Sequence, residues 1–279
     1  MLKSINDVTK LSNGVLMPWL GLGVWQAENN DAEYAVKWAV EAGYRHIDTA
    51  ACYENEVQTG KGIKDCGVSR QDLFVTSKFF GPKHSYENAI ASCEQTLKDL
   101  QTDYLDLFLI HWPMPKQDKY VEVWHALEKL YKDGKVRAIG VSNFYAEYID
   151  NVIANSDIVP HVLQVEYHPF YQQKSLQAYC KEKGIQYEAY SPLAQGAIFE
   201  SDILKNLAEK YGKSVAQLVL RWEMQNGVVV IPKSVHQNRI IQNSEIFDFE
   251  ISDADMKIID DMEEDRKITC PRPDELNLE

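Results

Sequence analysis

Four side chains between positions 48 and 111 carry chemistry that fits together: an acid at Asp48, a phenol at Tyr53, an amine at Lys78 and an imidazole at His111. A free phenol titrates near ~10 and gives up its proton reluctantly at neutral pH. An ammonium beside it favours the phenolate and is expected to lower that value. A partly buried lysine needs a counter-charge, which Asp48 can supply. Tyr53 is then placed to act as a general acid. His111 can donate a hydrogen bond to a carbonyl oxygen and fix its direction. Together the set would polarise a C=O group and protonate its oxygen as negative charge develops there. Each residue alone has a plainer reading: Asp48 as a cap, Lys78 as a solvated loop residue, Tyr53 as a rim aromatic, His111 as a satisfied core histidine. Their joint appearance at matched positions argues against the plain readings.

Those positions lie at or near the ends of strand-like runs. Apolar runs at residues 20–25, 46–48, 73–77, 104–111, 136–142, 162–166, 186–191 and 228–231 each precede a helical pattern. Parallel strands joined by helical crossovers leave this signature, and strands buried on both faces read as apolar throughout. The prediction is an α/β fold, a (β/α)8 or TIM barrel. An open doubly wound sheet competes, but eight evenly spaced units favour closure. In such a barrel the site sits at the C-terminal ends of the strands. Asp48 ends the second run and Lys78 the third. His111 ends the fourth, Ser142 and Asn143 the fifth, Gln164 and Glu166 the sixth. Tyr190 and Ser191 end the seventh, and Lys233 and Ser234 the eighth. One polar strand end would be capping. Seven of them predict a polar pocket.

Asn13 and Gly14 lie between apolar segments ahead of the first run, a hairpin signal. Such a hairpin is placed to plug the bottom of the barrel. Residues 253–262 predict an extra C-terminal helix on the outside, and residues 269–279 an irregular tail. No linker or composition shift appears, so residues 1–279 are expected to form one domain.

The 279 residues are 45% hydrophobic and 25% charged, as in an ordinary globular protein. The net charge of −13 argues against a nucleic-acid or anionic-membrane partner. An anionic ligand would need a local cluster of donors. Residues 233–239 provide one, with Lys233 and Arg239 flanking a predicted helix start whose free N–H groups favour anions. The five cysteines are odd in number and form no C-x-x-C pair, so neither a disulfide framework nor zinc is expected. Cys52 reads as packing beside Tyr53. No H-E-x-x-H or comparable spacing suggests a metal. The N-terminal residues lack a signal-peptide core and no apolar run approaches ~20 residues, so a cytoplasmic location is expected.

Three motifs then carry a resemblance. Gly43 to Ala50 (Gly-Tyr-Arg-His-Ile-Asp-Thr-Ala), with Tyr53 and Glu56, is the first. Val136 to Phe144 (Val-Arg-Ala-Ile-Gly-Val-Ser-Asn-Phe) is the second. Ile231 to Ser234 (Ile-Pro-Lys-Ser), with Arg239 and Asn243, is the third. In this order they resemble the aldo-keto reductase signatures, along nearly the whole chain. Among subgroups the chain looks most like the bacterial glyoxal and 2,5-diketogluconate reductases. The resemblance implies NADPH-dependent reduction of aldehydes and ketones, by a monomer, with Asp48, Tyr53, Lys78 and His111 as the catalytic set. It implies that Ser142, Asn143 and Gln164 hold the nicotinamide carboxamide and that Tyr190 stacks on the nicotinamide. It further implies that Ser191 and Leu193 belong to the same cofactor cleft. Lys233, Ser234 and Arg239 would grip the adenosine 2′-phosphate, and Gln242 and Asn243 would meet the adenine. Trp25 and Trp112, with His111, would wall the substrate pocket. Two departures stand out: Thr59 replaces an aliphatic residue, and Gln242 stands where many members carry Glu. The loop after His111 and the C-terminal tail are short, which predicts an open pocket and tolerance of small carbonyls.

Weaker signals point elsewhere. Gly21 and Gly23 suggest a dinucleotide fingerprint, but Gln26 stands where its third glycine would be. Tyr131 and Lys135 imitate the Tyr-x-x-x-Lys pair of short-chain dehydrogenases, yet Gly134 marks a helix end there. The rival function is a non-enzymatic NADP(H)-binding redox sensor on the same fold. A barrel hydrolase has no nucleophile motif to support it.

Overall fold

The chain opens on a hairpin, β1 (Val8–Lys10) paired antiparallel with β2 (Leu16–Pro18). Its turn works as the Asn-Gly signal requires: Gly14 has φ +90, and the Asn13 side chain accepts from Val15 N at 3.2 Å. Asn13 also donates to the Arg137 carbonyl at 2.9 Å, tying the turn to the barrel. Leu11 and Met17 pack with Phe74, Leu107, Ala138, Val162 and Val229 in a small core of their own. All but Leu11 and Met17 lie at or just before the N-terminal ends of their strands. The hairpin therefore closes the bottom, as the sequence predicts.

Eight parallel strands follow: β3 (Gly21–Gly23), β4 (His46–Asp48), β5 (Phe74–Phe79), β6 (Leu107–Ile110), β7 (Ile139–Ser142), β8 (Val162–Glu166), β9 (Gln186–Tyr190) and β10 (Val229–Val230). Each pairs with its neighbour in sequence. Parallel bridges Leu20 to Val230 and Gly23 to Lys233 close the cylinder. That seam needs glycine: a Cβ at Gly23 would lie 2.9 Å from the Ile231 carbonyl oxygen. Helices α1 (Asp31–Glu41), α2 (Glu56–Asp65), α3 (Tyr86–Asp99), α4 (Tyr120–Lys132), α5 (Ala146–Ala154), α6 (Lys174–Lys183), α7 (Asp202–Lys210), α8 (Val215–Gln225), α9 (Gln237–Ser244) and α10 (Asp253–Asp260) cover the barrel. The large core between strands and helices joins Leu22, Ile47, Val75, Phe108, Val141 and Leu163 to Val36, Cys93, Trp124 and Trp222. The computed structural model describes residues 2–81 and 83–276.

Two motif residues prove to be structural. Glu56 accepts from Ser77 at 2.6 Å and Thr96 at 3.0 Å, bracing α2 against β5 and α3. Thr59 costs little in its buried place, because its hydroxyl bonds back to the Asn55 carbonyl at 2.9 Å.

Candidate active site

Asp48, Tyr53, Lys78 and His111 converge at the C-terminal mouth of the barrel. Asp48 closes β4, Lys78 lies one residue before the end of β5, and His111 directly follows β6. Tyr53 is held by a single 3-10 turn, Ala51–Tyr53, ended by Glu54 at φ 56. The loop is anchored by Asn55, which donates to the Val24 carbonyl at 2.8 Å and accepts from Thr49 at 3.1 Å. The Lys78 side chain is fully buried. Its Nζ donates to Asp48 Oδ1 at 2.5 Å, to the Thr49 carbonyl at 2.8 Å and to the Tyr53 hydroxyl at 3.5 Å. The Tyr53 and His111 rings meet edge-on, 5.8 Å between centroids. Cys52 Sγ lies 3.5 Å from His111 Nδ1.

The electrostatics depart from expectation at Tyr53. Burial pushes the phenol above its ordinary value of 10.0, and Lys78 only partly pulls it back. The proton is held more firmly than charge counting suggests; the ammonium acts on the phenolate left once the proton has gone. Burial opposes the charge on Lys78, but Asp48 and Tyr53 outweigh it and keep the amine protonated. Burial, then Lys78, drives His111 well below the usual imidazole range, leaving it neutral. A neutral imidazole keeps one N–H to donate.

A cleft with a volume of about 240 Å³ lies over this set. Trp25, Cys52, Tyr53, Phe80, His111 and Trp112 line it, as do Asp48, Asn143, Gln164, Tyr190, Ser191 and Lys233. Thr269 and Cys270 line it too. The tail, though short, is thus part of the wall. It is latched there by Glu166, which accepts from the Ile268 and Thr269 amides at 2.6 and 3.0 Å and from Lys267 Nζ at 2.7 Å. Burial would raise the Glu166 carboxyl, but His168 and Lys267 pull it down to about 2. The pocket is accordingly more walled than the open one the short loops predict. The sequence offers no local signal for Phe80, Thr269 or Cys270 as lining residues.

The residues expected to hold a nicotinamide are knit to one another. Asn143, with φ 61, donates to the His111 carbonyl at 3.0 Å and to Ser142 Oγ at 3.1 Å. Its Oδ1 accepts from the Tyr190 hydroxyl at 2.7 Å. Lys267 reaches the same hydroxyl at 3.3 Å. Gln164 donates to Asp48 Oδ2 at 2.8 Å and to Glu188 Oε2 at 2.9 Å. A flat ring with a carboxamide fits these groups: an aromatic face, amide oxygens that accept and a nearby phenol. Lys233 lines the cleft and reaches the Gln26 carbonyl at 3.3 Å. Ser234 Oγ accepts from His236 N at 3.1 Å just before α9. Arg239 and Gln242 are exposed on α9 and Asn243 is buried there. Leu193 is half-buried before the next turn. Ser142, Leu193, Ser234, Arg239, Gln242 and Asn243 do not line the cleft around Tyr53.

Residues 19–264 match the model of the aldo/keto reductase family. The chain belongs to that family. It is an oxidoreductase, an aldo-keto reductase by sequence and by fold. It is 54% identical to the glyoxal reductase of Bacillus subtilis, over 98% of each chain. It is 42% identical to the methylglyoxal reductase of Escherichia coli, over 96% of this chain and 97% of that one. The crystal structure of a Bombyx mori aldo-keto reductase in complex with NADP superposes with a TM-score of 0.89 at 35% identity, covering 97% and 96% of the two chains.

Proposed function

We propose that this aldo-keto reductase reduces small aldehydes and 1,2-dicarbonyls, such as glyoxal and methylglyoxal, to alcohols with NADPH. One observation carries the reading: the buried Lys78 ammonium bridges Asp48 and the Tyr53 hydroxyl, both of which line the cleft. Bound NADPH supplies the hydride. Trp25, Trp112 and Phe80 shield the substrate from water, and His111 directs its carbonyl oxygen. Tyr53 gives its proton to that oxygen and is left as a phenolate beside Lys78. Gln164, Asn143 and Ser142 would orient the carboxamide and Tyr190 would carry the ring. Ser191 and Leu193 would continue the cofactor cleft. Lys233, Ser234 and Arg239 at the start of α9 would take the 2′-phosphate, and Gln242 and Asn243 the adenine. The relatives' names support the substrate class. We read residues 1–279 as one domain and the chain as a cytoplasmic monomer. Light scattering at the chain mass of 32.0 kDa tests the assembly.

The decisive assay follows NADPH absorbance with methylglyoxal and a panel of aldehydes. Tyr53→Phe is expected to lose turnover while NADPH still binds. Tight NADPH binding without turnover on any carbonyl would instead indicate the redox sensor.

A further inference from the structure

Beneath the four residues at the mouth lies a second polar layer. Glu188 sits on β9 opposite Gln164 on β8, in register, and is fully buried. Interior positions of such barrels are usually filled by branched apolar side chains. A carboxyl there forfeits its hydration and needs a reason to be present.

The reason lies in the hydrogens of Gln164. Its amide nitrogen donates to Asp48 Oδ2 at 2.8 Å and to Glu188 Oε2 at 2.9 Å. A primary amide nitrogen has two hydrogens, and both are taken. The polarity of the amide is fixed by Asp48, whose carboxylate, paired with the Lys78 ammonium, has no donor to offer an amide oxygen. Gln164 lines the cleft, so the polar atom left for a ligand is its oxygen. We propose that Glu188 is a positioning residue that takes the second N–H of Gln164, so that Gln164 presents only a hydrogen-bond acceptor to the cleft and selects a cofactor ring bearing an N–H donor. The inference deepens the reading above and rests on it, since it takes the nicotinamide carboxamide as the group that Gln164 meets.

The surroundings of Glu188 agree. Among the described residues its Oε1 has no hydrogen-bond partner, and the nearest basic atom is His46 Nε2 at 3.6 Å. His46 is held neutral, its value lowered to about 3 by burial and then by Lys78. Burial, then Asp48, pushes the Glu188 carboxyl up to about 8. A protonated carboxyl still has a bare oxygen, so the bond to Gln164 needs no second full charge beside Asp48.

The test compares two dinucleotides, NADP+ and its 3-acetylpyridine analogue, in which an acetyl group replaces the carboxamide and its N–H. Binding is read without substrate from the quenching of intrinsic tryptophan fluorescence, Trp25 and Trp112 being the tryptophans that line the cleft. The wild type is expected to prefer the carboxamide form roughly fivefold, the yield of one neutral hydrogen bond. Glu188→Leu should bring that ratio near one while leaving affinity for the acetyl analogue little changed. Glu188→Gln, whose side-chain oxygen can still accept from Gln164, should keep the preference. If Glu188→Leu does not fold, Glu188→Thr replaces it, being too short to reach Gln164. A ratio kept in these truncated variants, or an equal loss for both dinucleotides, overturns the proposal in favour of a filler role. Gln164→Ala separates the two levels of inference. If it loses the preference and Glu188→Leu keeps it, only the role of Glu188 falls. If Gln164→Ala also keeps it, the placing of Gln164 against the carboxamide falls, and the proposal with it.

Discussion

Replacing Lys78 by methionine removes the ammonium and keeps most of the side-chain volume. The Nζ stands 3.5 Å from the Tyr53 hydroxyl. At an effective dielectric near 20, two unit charges at that separation interact by about 5 kcal/mol. This stabilisation exists only once the phenolate forms, so it lowers the barrier rather than the ground state. At about 1.4 kcal/mol per decade it corresponds to roughly three to four orders of magnitude in kcat. The variant also strands Asp48, whose side chain is only 3% exposed. An unpaired buried charge costs about 3–5 kcal/mol unless it takes up a proton, so Tm is expected to fall. The double variant Asp48→Asn with Lys78→Met removes that carboxyl and should recover stability without recovering rate. Single-turnover decay of NADPH absorbance under saturating methylglyoxal reads the chemical step, and fluorescence titration checks that NADPH still binds. A folded Lys78→Met protein with kcat within about tenfold of wild type would refute the role given to the amine.

Three further outcomes follow from other contacts. Arg239→Ala should weaken NADPH by about ten- to a hundredfold and leave NADH nearly unaffected, as expected for a charge-assisted bond to the extra phosphate; equal losses would show that the phosphate lies elsewhere. Lys267→Ala breaks the 2.7 Å bond to the buried Glu166, so Tm should fall, and the loosened Thr269 and Cys270 wall should raise KM for small carbonyls several-fold; an unchanged KM removes the tail from the pocket. Glu223 on α8 is buried with neither carboxyl oxygen partnered among the described residues, and burial raises it well above its ordinary 4.5. Its folded value being the higher, the wild type loses stability as pH climbs from about 4.5, where the unfolded chain ionises first. Glu223→Met should therefore stabilise by about 1–3 kcal/mol, more at pH 8 than at pH 5, in calorimetric scans; no gain at either pH would show that the carboxyl is satisfied.

The barrel was legible because buried parallel strands leave apolar runs. The runs at 46–48 and 162–166 coincide with β4 and β8. The third run, read as 73–77, continues to Phe79 because that buried ring lies in register with Ile110. Asp48, Lys78 and His111 were legible because each ends, or nearly ends, such a run, and Tyr53 because it lies in the loop just after Asp48. The state of Tyr53 was not. The charges around a phenol can be counted in a sequence, but its burial cannot, and burial prevails. The latch onto Glu166 joins positions about a hundred residues apart, and besides the Lys267 side chain it uses the Ile268 and Thr269 backbone amides, which carry no residue code. Glu188 sits in a run, Gln-Tyr-Glu-Ala-Tyr, whose alternation does not say which face turns inward.

The Tyr190 ring is fastened at its tip, on one side by Asn143 and on the other by Lys267. A ring tethered behind itself cannot swing out, so it offers one fixed plane to the cleft. Any planar heterocycle laid on that plane has one of its sides covered and the other turned to the substrate. Were the carboxamide held by Ser142, Asn143 and Gln164 as proposed, only one face of the ring could lie on Tyr190, and the same one of two hydrogens on a prochiral carbon would leave in every turnover. On that reading the handedness of the reaction would be held partly from behind the aromatic platform, by two polar contacts that never touch the hydrogen in transit.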